Sequence, residues 1–337
     1  MKERLPQPPD LLADDTVRRL IAAHAGVENI PSKLKIITDT SDFSRIEYND
    51  VLLLGNKPYW VKRYEKEGRF GLDDEPKYWV RRAIDLTDGS TKILKLVFHE
   101  EFETTVCGMV IKCFRSPKKE ARILDLVAGH QNFMHGDWVL DAVGNNVRIL
   151  EFIRGPRLDE MVTGYGNDHQ DYFFNYFPNV LDQYIELLVA IKFLHDHGEK
   201  HGDIRRDHVI WDREREVMRW IDFDYNYRHG ESMFSFDLAG LGNIIIFLTG
   251  RGDVLVEELY HNRRDLFDSL WGEDLSISYK NRVANLKKIF PYIPESLNRI
   301  LLHFSVGAGI FYETTDQMLA DLVKARIDLA ALTGRGV

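Results

Sequence analysis

The sequence predicts an α+β protein, with a smaller antiparallel-sheet region followed by a larger helical one. Three observations predict it. β-branched and aromatic runs separated by turn residues fill the stretch from about 46 to 115. After Gly155 the apolar residues recur at helical spacing, as in Leu181, Tyr184, Leu187, Leu188, Ile191 and Leu194. The chain of 337 residues, 44% hydrophobic and 29% charged, is long and apolar enough to bury a full core.

Each element has a local reason. Residues 1–45 read as an N-terminal appendage, with one helical face from Leu11, Leu12, Val17, Leu20 and Ile21. Strands follow at Tyr59-Trp60-Val61, Lys77-Tyr78-Trp79-Val80 and from Lys92 to Phe98. Turn chemistry separates them at Glu67-Gly68-Arg69-Phe70-Gly71 and at Asp88-Gly89-Ser90. The aromatic pairs Tyr59-Trp60 and Tyr78-Trp79 are expected in the core. Ser116-Pro117 is an N-cap followed by Pro at the first helical position. The helix it opens carries Glu120, Ile123 and Leu124 and stops near Gly129. Two more strands, around Trp138-Val139-Leu140 and from Val147 to Ile153, flank the turn Gly144-Asn145-Asn146. An irregular stretch from His201 to Asp224 interrupts the helices that follow. The last helix begins with the capping-box pattern Thr314-Thr315-Asp316-Gln317. The expected division is 1–45, 46–150 and 151–337.

Composition excludes several classes. Lys and Arg total 44 against 53 Asp and Glu, a net charge of −9, which disfavours non-specific nucleic-acid binding. The longest apolar runs, such as Ile244 to Leu248, are too short to cross a bilayer. The first residues carry charge and Pro but no apolar core, so no secretory signal is expected there. Cys107 and Cys113 by themselves build neither a disulfide framework nor a zinc site. A cytoplasmic protein, with neither nucleic acid nor membrane as a partner, is the expectation.

Chemistry concentrates in His201-Gly202-Asp203-Ile204-Arg205-Arg206-Asp207-His208 and, nineteen residues after Asp203, in Asp222 of Ile221-Asp222-Phe223-Asp224. Phosphoryl transfer needs one carboxylate to orient the acceptor hydroxyl and take its proton. It needs a second to hold a divalent metal against the phosphates. Asp203 suits the first role and Asp222 the second.

These two segments resemble the catalytic loop and metal-binding turn of the protein-kinase-like superfamily. Asp237-Leu-Ala-Gly-Leu-Gly242 is similar to the buried helix that anchors that loop. Leu150-Glu151-Phe152-Ile153-Arg154-Gly155 is similar to the hinge between lobes, and Glu120-Ala-Arg-Ile-Leu124 to the helix that supplies an ion-pairing Glu. The stretch from Pro294 through Leu322 resembles the closing helices of bacterial serine/threonine kinases. The resemblance covers roughly residues 55 to 333.

The resemblance implies a two-lobed kinase-like fold and an ATP-dependent phosphotransferase using Mg²⁺ or Mn²⁺. Asp203 would be the catalytic base, and Arg205 a cation near the transferred phosphate. Asp222 would hold the metal with help from His208 and Asp224. Lys95, paired with Glu120, would grip the phosphates, beneath a reduced Gly-rich loop containing Gly68 and Gly71. Adenine would bond backbone groups of Glu151 and Ile153, in the cleft between the lobes. Lys112, eight residues before Glu120, rivals Lys95, but strand order favours Lys95.

Departures from the pattern shape the expectation. His208 stands where the family has Asn, and Asp224 where it has Gly. Only fifteen residues separate Asp222 from Asp237, and no Ala-Pro-Glu occurs, so the usual peptide platform is missing. His-Gly-Asp with a short segment is typical of aminoglycoside-type phosphotransferases. The acceptor is therefore a protein or a small-molecule hydroxyl, with the serine/threonine protein-kinase branch ranked first. A nucleotide-binding pseudokinase scaffold is the alternative. His195, His197, His201 and His208 lie within fourteen residues and also permit a zinc-hydrolase reading, but His195 closes an amphipathic helix.

Overall fold

The chain folds as α+β, and the computed structural model describes residues 14–26, 28, 30–69, 72–106, 109–228 and 233–333. In chain order the elements are α1 (Asp14–Ala25), β1 (Ile36–Ile37), β2 (Val51–Leu54), β3 (Lys57–Arg69), β4 (Leu72–Asp85), β5 (Thr91–Lys95), β6 (Glu101–Val106) and β7 (Met109–Arg115). Next come α2 (Pro117–Leu126), β8 (Gly136–Leu140), β9 (Asn146–Glu151), α3 (Leu158–Thr163), α4 (His169–Asn175) and α5 (Phe177–Asp196). β10 (Val209–Asp212), β11 (Val217–Trp220) and β12 (Tyr225–Arg228) precede α6 (Ser235–Gly250), α7 (Val256–Asn262), α8 (Arg264–Phe267), α9 (Glu295–Leu302) and α10 (Thr315–Thr333).

The chain forms two units. The first runs to His99 and adds residues 116–129 and 134–152. The second takes 100–115, 130–133 and the chain from 153 onward. The sequence divides near 150, but it does not announce that the β6–β7 hairpin belongs to the second unit.

In the first unit seven strands pair in the order β1-β2-β3-β4-β5-β9-β8. Only the short β1–β2 pair is parallel. Strand periodicity of two sends neighbours in β3 to opposite faces. Tyr59 and Val61 join Leu52, Leu94, Leu96 and Val147 on one side. Trp60 joins Val51 and Leu86 on the other, where Val17 and Ile21 of α1 cover them. Residues 14–45 are thus not a separate appendage; α1 and β1 complete the sheet and one of its cores. Tyr78, expected inside, is half exposed, while Trp79 stacks on Phe98 at 4.1 Å. Of the expected turn at 67–71, Glu67, Gly68 and Arg69 instead continue β3, and Phe70 and Gly71 lie outside the described residues. Ser116 caps α2, its hydroxyl accepting from the Lys119 N–H, with Pro117 behind it, as expected from the sequence.

In the second unit α5 packs against α10, tied by a two-bond ion pair of Arg326 with Asp182 at 2.6 and 2.9 Å. This unit also holds two small sheets. One is the β10–β11 hairpin; the other has the order β12-β7-β6. Cys113 on β7 is buried, which pushes its thiol up to about 11. Cys107 lies outside the described residues.

Candidate functional site

The loop from His201 to His208 is held from beneath by one carboxylate. Asp237 sits in the first turn of α6, where the helix dipole favours an anion. Its two oxygens accept the His201 N–H at 2.8 Å and the Gly202 N–H at 2.9 Å, and His195 Nε2 lies 3.1 Å away. Full burial would raise the pKa of Asp237. The His195 bond, the imidazoles of His195 and His201 and the Gly202 amide outweigh it and hold the carboxyl below its ordinary range. Gly202 has φ +87°, a conformation that a side chain disfavours, which explains the glycine before Asp203. Gly240, one turn into α6, lets the helix touch the loop: a Cβ there would lie 2.7 Å from the Ile204 carbonyl oxygen.

On that platform three polar side chains converge. His208 ends a short 3₁₀ turn, Arg206–His208, and is almost fully buried. Its Nδ1 lies 2.9 Å from the Asp203 carbonyl oxygen, which can only accept, so Nδ1 carries the proton. The same Nδ1 is 3.4 Å from Asp203 Oδ2, and Nε2 is 3.7 Å from Asp222 Oδ2. The two aspartates, nineteen positions apart in sequence, therefore flank one imidazole. Asp222 has φ +62°, a strained setting for a residue with a side chain.

With Nδ1 turned to the Asp203 carbonyl, Nε2 faces Asp222, so two carboxylates stand around one imidazole, and the acidic excess of the group suits a cation. Among the described residues no group of three His, Cys, Asp or Glu side chains forms a metal cage by itself. That donor set fits a hard cation arriving with a ligand that supplies further oxygens, since Mg²⁺ usually takes one or two carboxylates plus phosphates and water. Asp224, read from the sequence as a helper at the metal, is instead closed in an ion pair. Arg115 Nη1 donates to both of its oxygens at 2.9 and 3.0 Å, and both side chains are almost fully buried. Arg205, expected beside a phosphate, pairs with Asp207 through Nε at 3.0 Å and through Nη2. The neighbouring Arg206 binds Asp253 at 2.7 Å. His195 and His197 go separate ways, His195 to Asp237 and His197 Nδ1 to the Phe193 carbonyl at 2.8 Å.

The first unit holds the other half of the expected set. Lys95, at the end of β5, donates to Glu120 Oε1 at 2.8 Å. Arg148 on β9, paired in register with Lys95, donates through Nε to Glu120 Oε2 at 3.0 Å. Lys112 lies in the second unit and pairs with Glu101 at 3.0 Å, so the Lys partner of Glu120 is Lys95. Glu151 closes β9, and its N–H is already given to the His135 carbonyl at 3.0 Å. Ile153 begins the last segment of the second unit and is buried. The glycines are less well placed. Glu67 pairs with Glu75, five residues along β4 from Val80, the partner of Lys95. At about 3.3 Å per residue, Glu67 lies roughly 17 Å along the strands from the Lys95 register, and Gly68 lies further still. Gly71 lies outside the described residues.

Sequence reasoning missed Arg148 and Arg115. Each stands next to a run of apolar residues, Ile149-Leu150 and Cys113-Phe114. A cation in such a run signals a buried partner, because charges are rarely buried unpaired. No protein-family model and no curated protein matches this chain.

Proposed function

We propose that the chain is an ATP-dependent phosphotransferase of the protein-kinase-like kind, passing the γ-phosphate to a hydroxyl. The observation that carries this reading is Asp203 and Asp222 flanking His208 on a loop pinned by Asp237. Asp203 orients the acceptor hydroxyl and takes its proton. Asp222, with His208 Nε2, holds Mg²⁺ or Mn²⁺, whose chemistry is to offset the phosphate charge. Lys95, kept in place by Glu120, meets the phosphates. Arg205 swings from Asp207 to the transferred phosphate when nucleotide binds. The serine/threonine protein-kinase branch ranks first because the closing-helix sequence resembles it. The short chain between Asp222 and Asp237 equally suits a small-molecule acceptor.

The pseudokinase scaffold keeps two specific supports: Asp224 is neutralised by Arg115, and Gly68 lies far from the Lys95 register. ATP turnover in Mg²⁺ and in Mn²⁺, for the native chain and for Asp203→Asn, separates the two. The enzyme reading expects a loss on the order of 10²–10⁴-fold in the variant, with nucleotide binding kept. Nucleotide binding without turnover in either metal establishes the scaffold and sinks the enzyme.

A further inference from the structure

The Ile221-Asp222-Phe223-Asp224 turn departs from a glycine-hinged turn in having a second carboxylate, and the structure shows what occupies it. Arg115, the last residue of β7, lies opposite Tyr225 in the β7–β12 ladder. Its guanidinium spans three neighbours: Asp224 through Nη1, Glu100 through Nε at 2.8 Å, and the face of Tyr225 at 4.1 Å. The Tyr225 hydroxyl closes the ring by donating to Glu100 at 2.5 Å. Arg115 is 5% exposed and Asp224 2%, so water competes little for these bonds. On the other side, Phe223 is fully buried, edge-on to Phe133 and His201. Between the β11 strand and the Phe223 anchor lie Ile221 and Asp222, the latter held at φ +62°. Such a conformation persists only where its surroundings over-determine it.

Resting on the phosphotransferase reading, we infer that Arg115 is a positioning residue for the metal carboxylate. By clamping Asp224 it fixes the turn that aims Asp222, a task performed by a hairpin, 100–115, that the chain inserts between β5 and α2. The stretch after the turn is zipped to β7 from Tyr225 to Arg228, so this turn is set by the resting fold and calls for no phosphorylated segment.

The test reads Mn²⁺ binding by electron paramagnetic resonance, with a non-hydrolysable ATP analogue at saturation, and thermal midpoints in parallel, on the full chain. Arg115→Met leaves Asp224 buried and uncompensated, and is expected to lower the midpoint and weaken Mn²⁺ at least tenfold. The pair Arg115→Met/Asp224→Asn removes that stranded charge. It should recover most of the midpoint while keeping the weakened Mn²⁺ affinity, because the clamp is still missing. If Mn²⁺ affinity returns together with the midpoint, Arg115 only balances charge and the inference is overturned. Unchanged Mn²⁺ affinity in Arg115→Met overturns it as well. A native chain that binds no Mn²⁺ with the nucleotide analogue overturns the phosphotransferase reading and, with it, this role.

Discussion

The Lys95–Glu120–Arg148 group and the Asp203–His208–Asp222 group are built on opposite plans. In the first, two cations share one carboxylate, and the side chains are 4%, 0% and 1% exposed. In the second, two carboxylates share one imidazole, and Asp203 and Asp222 keep 15% and 11% of their side-chain surface. Taken alone, the first group has one positive charge in excess and the second has an excess of negative charge. A sealed cluster whose two cations are paired on one carboxylate is held in place, and removing that carboxylate destabilises the fold. An acid-rich cluster that solvent still reaches has not been optimised for stability, and that is the expected mark of a site that must accept a ligand.

The contrast predicts a graded series of stabilities. Glu120→Ala strands Lys95 and Arg148 in the core and should cost about 3–5 kcal/mol in urea unfolding. A cost under about 1 kcal/mol would mean that the first cluster is not sealed. Next in size is Asp237→Asn, which weakens the acceptor of two loop amides and should cost about 1.5–3 kcal/mol at neutral pH. Its sign with pH follows from the lowered pKa of Asp237. The ionised carboxylate stabilises the fold above the unfolded carboxyl value of about 3.9, and that contribution fades as pH falls below it. The gap between native and Asp237→Asn stability should therefore narrow under acid, and a gap constant from pH 7 to pH 3 would refute the assignment. Smallest is Asp203→Asn, expected within about 1 kcal/mol of the native chain despite its large effect on turnover. A large destabilisation there would make Asp203 a structural residue and erase the difference between the two clusters.

Local signals were legible in the sequence where the physics is local. Ser116-Pro117 gave the start of α2, and the apolar spacing gave α5. The two aspartates could be singled out by their motifs and nineteen-residue spacing, and the carboxylate beneath them by the resemblance of its helix to a known pattern. Partners contributed from afar were not legible. Nothing within Met109–Arg115 says that its ladder partner lies at Tyr225–Arg228, 109 positions beyond Arg115 for its ion-pair mate Asp224. Nor does Val17 announce that it will cover Trp60. Strand preference reports a half-buried pleated surface and leaves the choice of neighbour to tertiary packing. The glycine turn at 67–71 misled for the same reason: a long twisted hairpin can run through a glycine when the next strand continues to pair.

The hairpin at 100–115 also governs how the polypeptide can be cut. Because the chain passes from one unit to the other and back at 100, 116, 130, 134 and 153, no single break frees either unit intact. A fragment ending at 150 would retain β6 and β7 but lack β12, leaving one side of β7 unpaired and ready for edge-to-edge association. Expression of the two halves as separate pieces is therefore a route to aggregates, and tags or fusions belong at the ends of the whole chain.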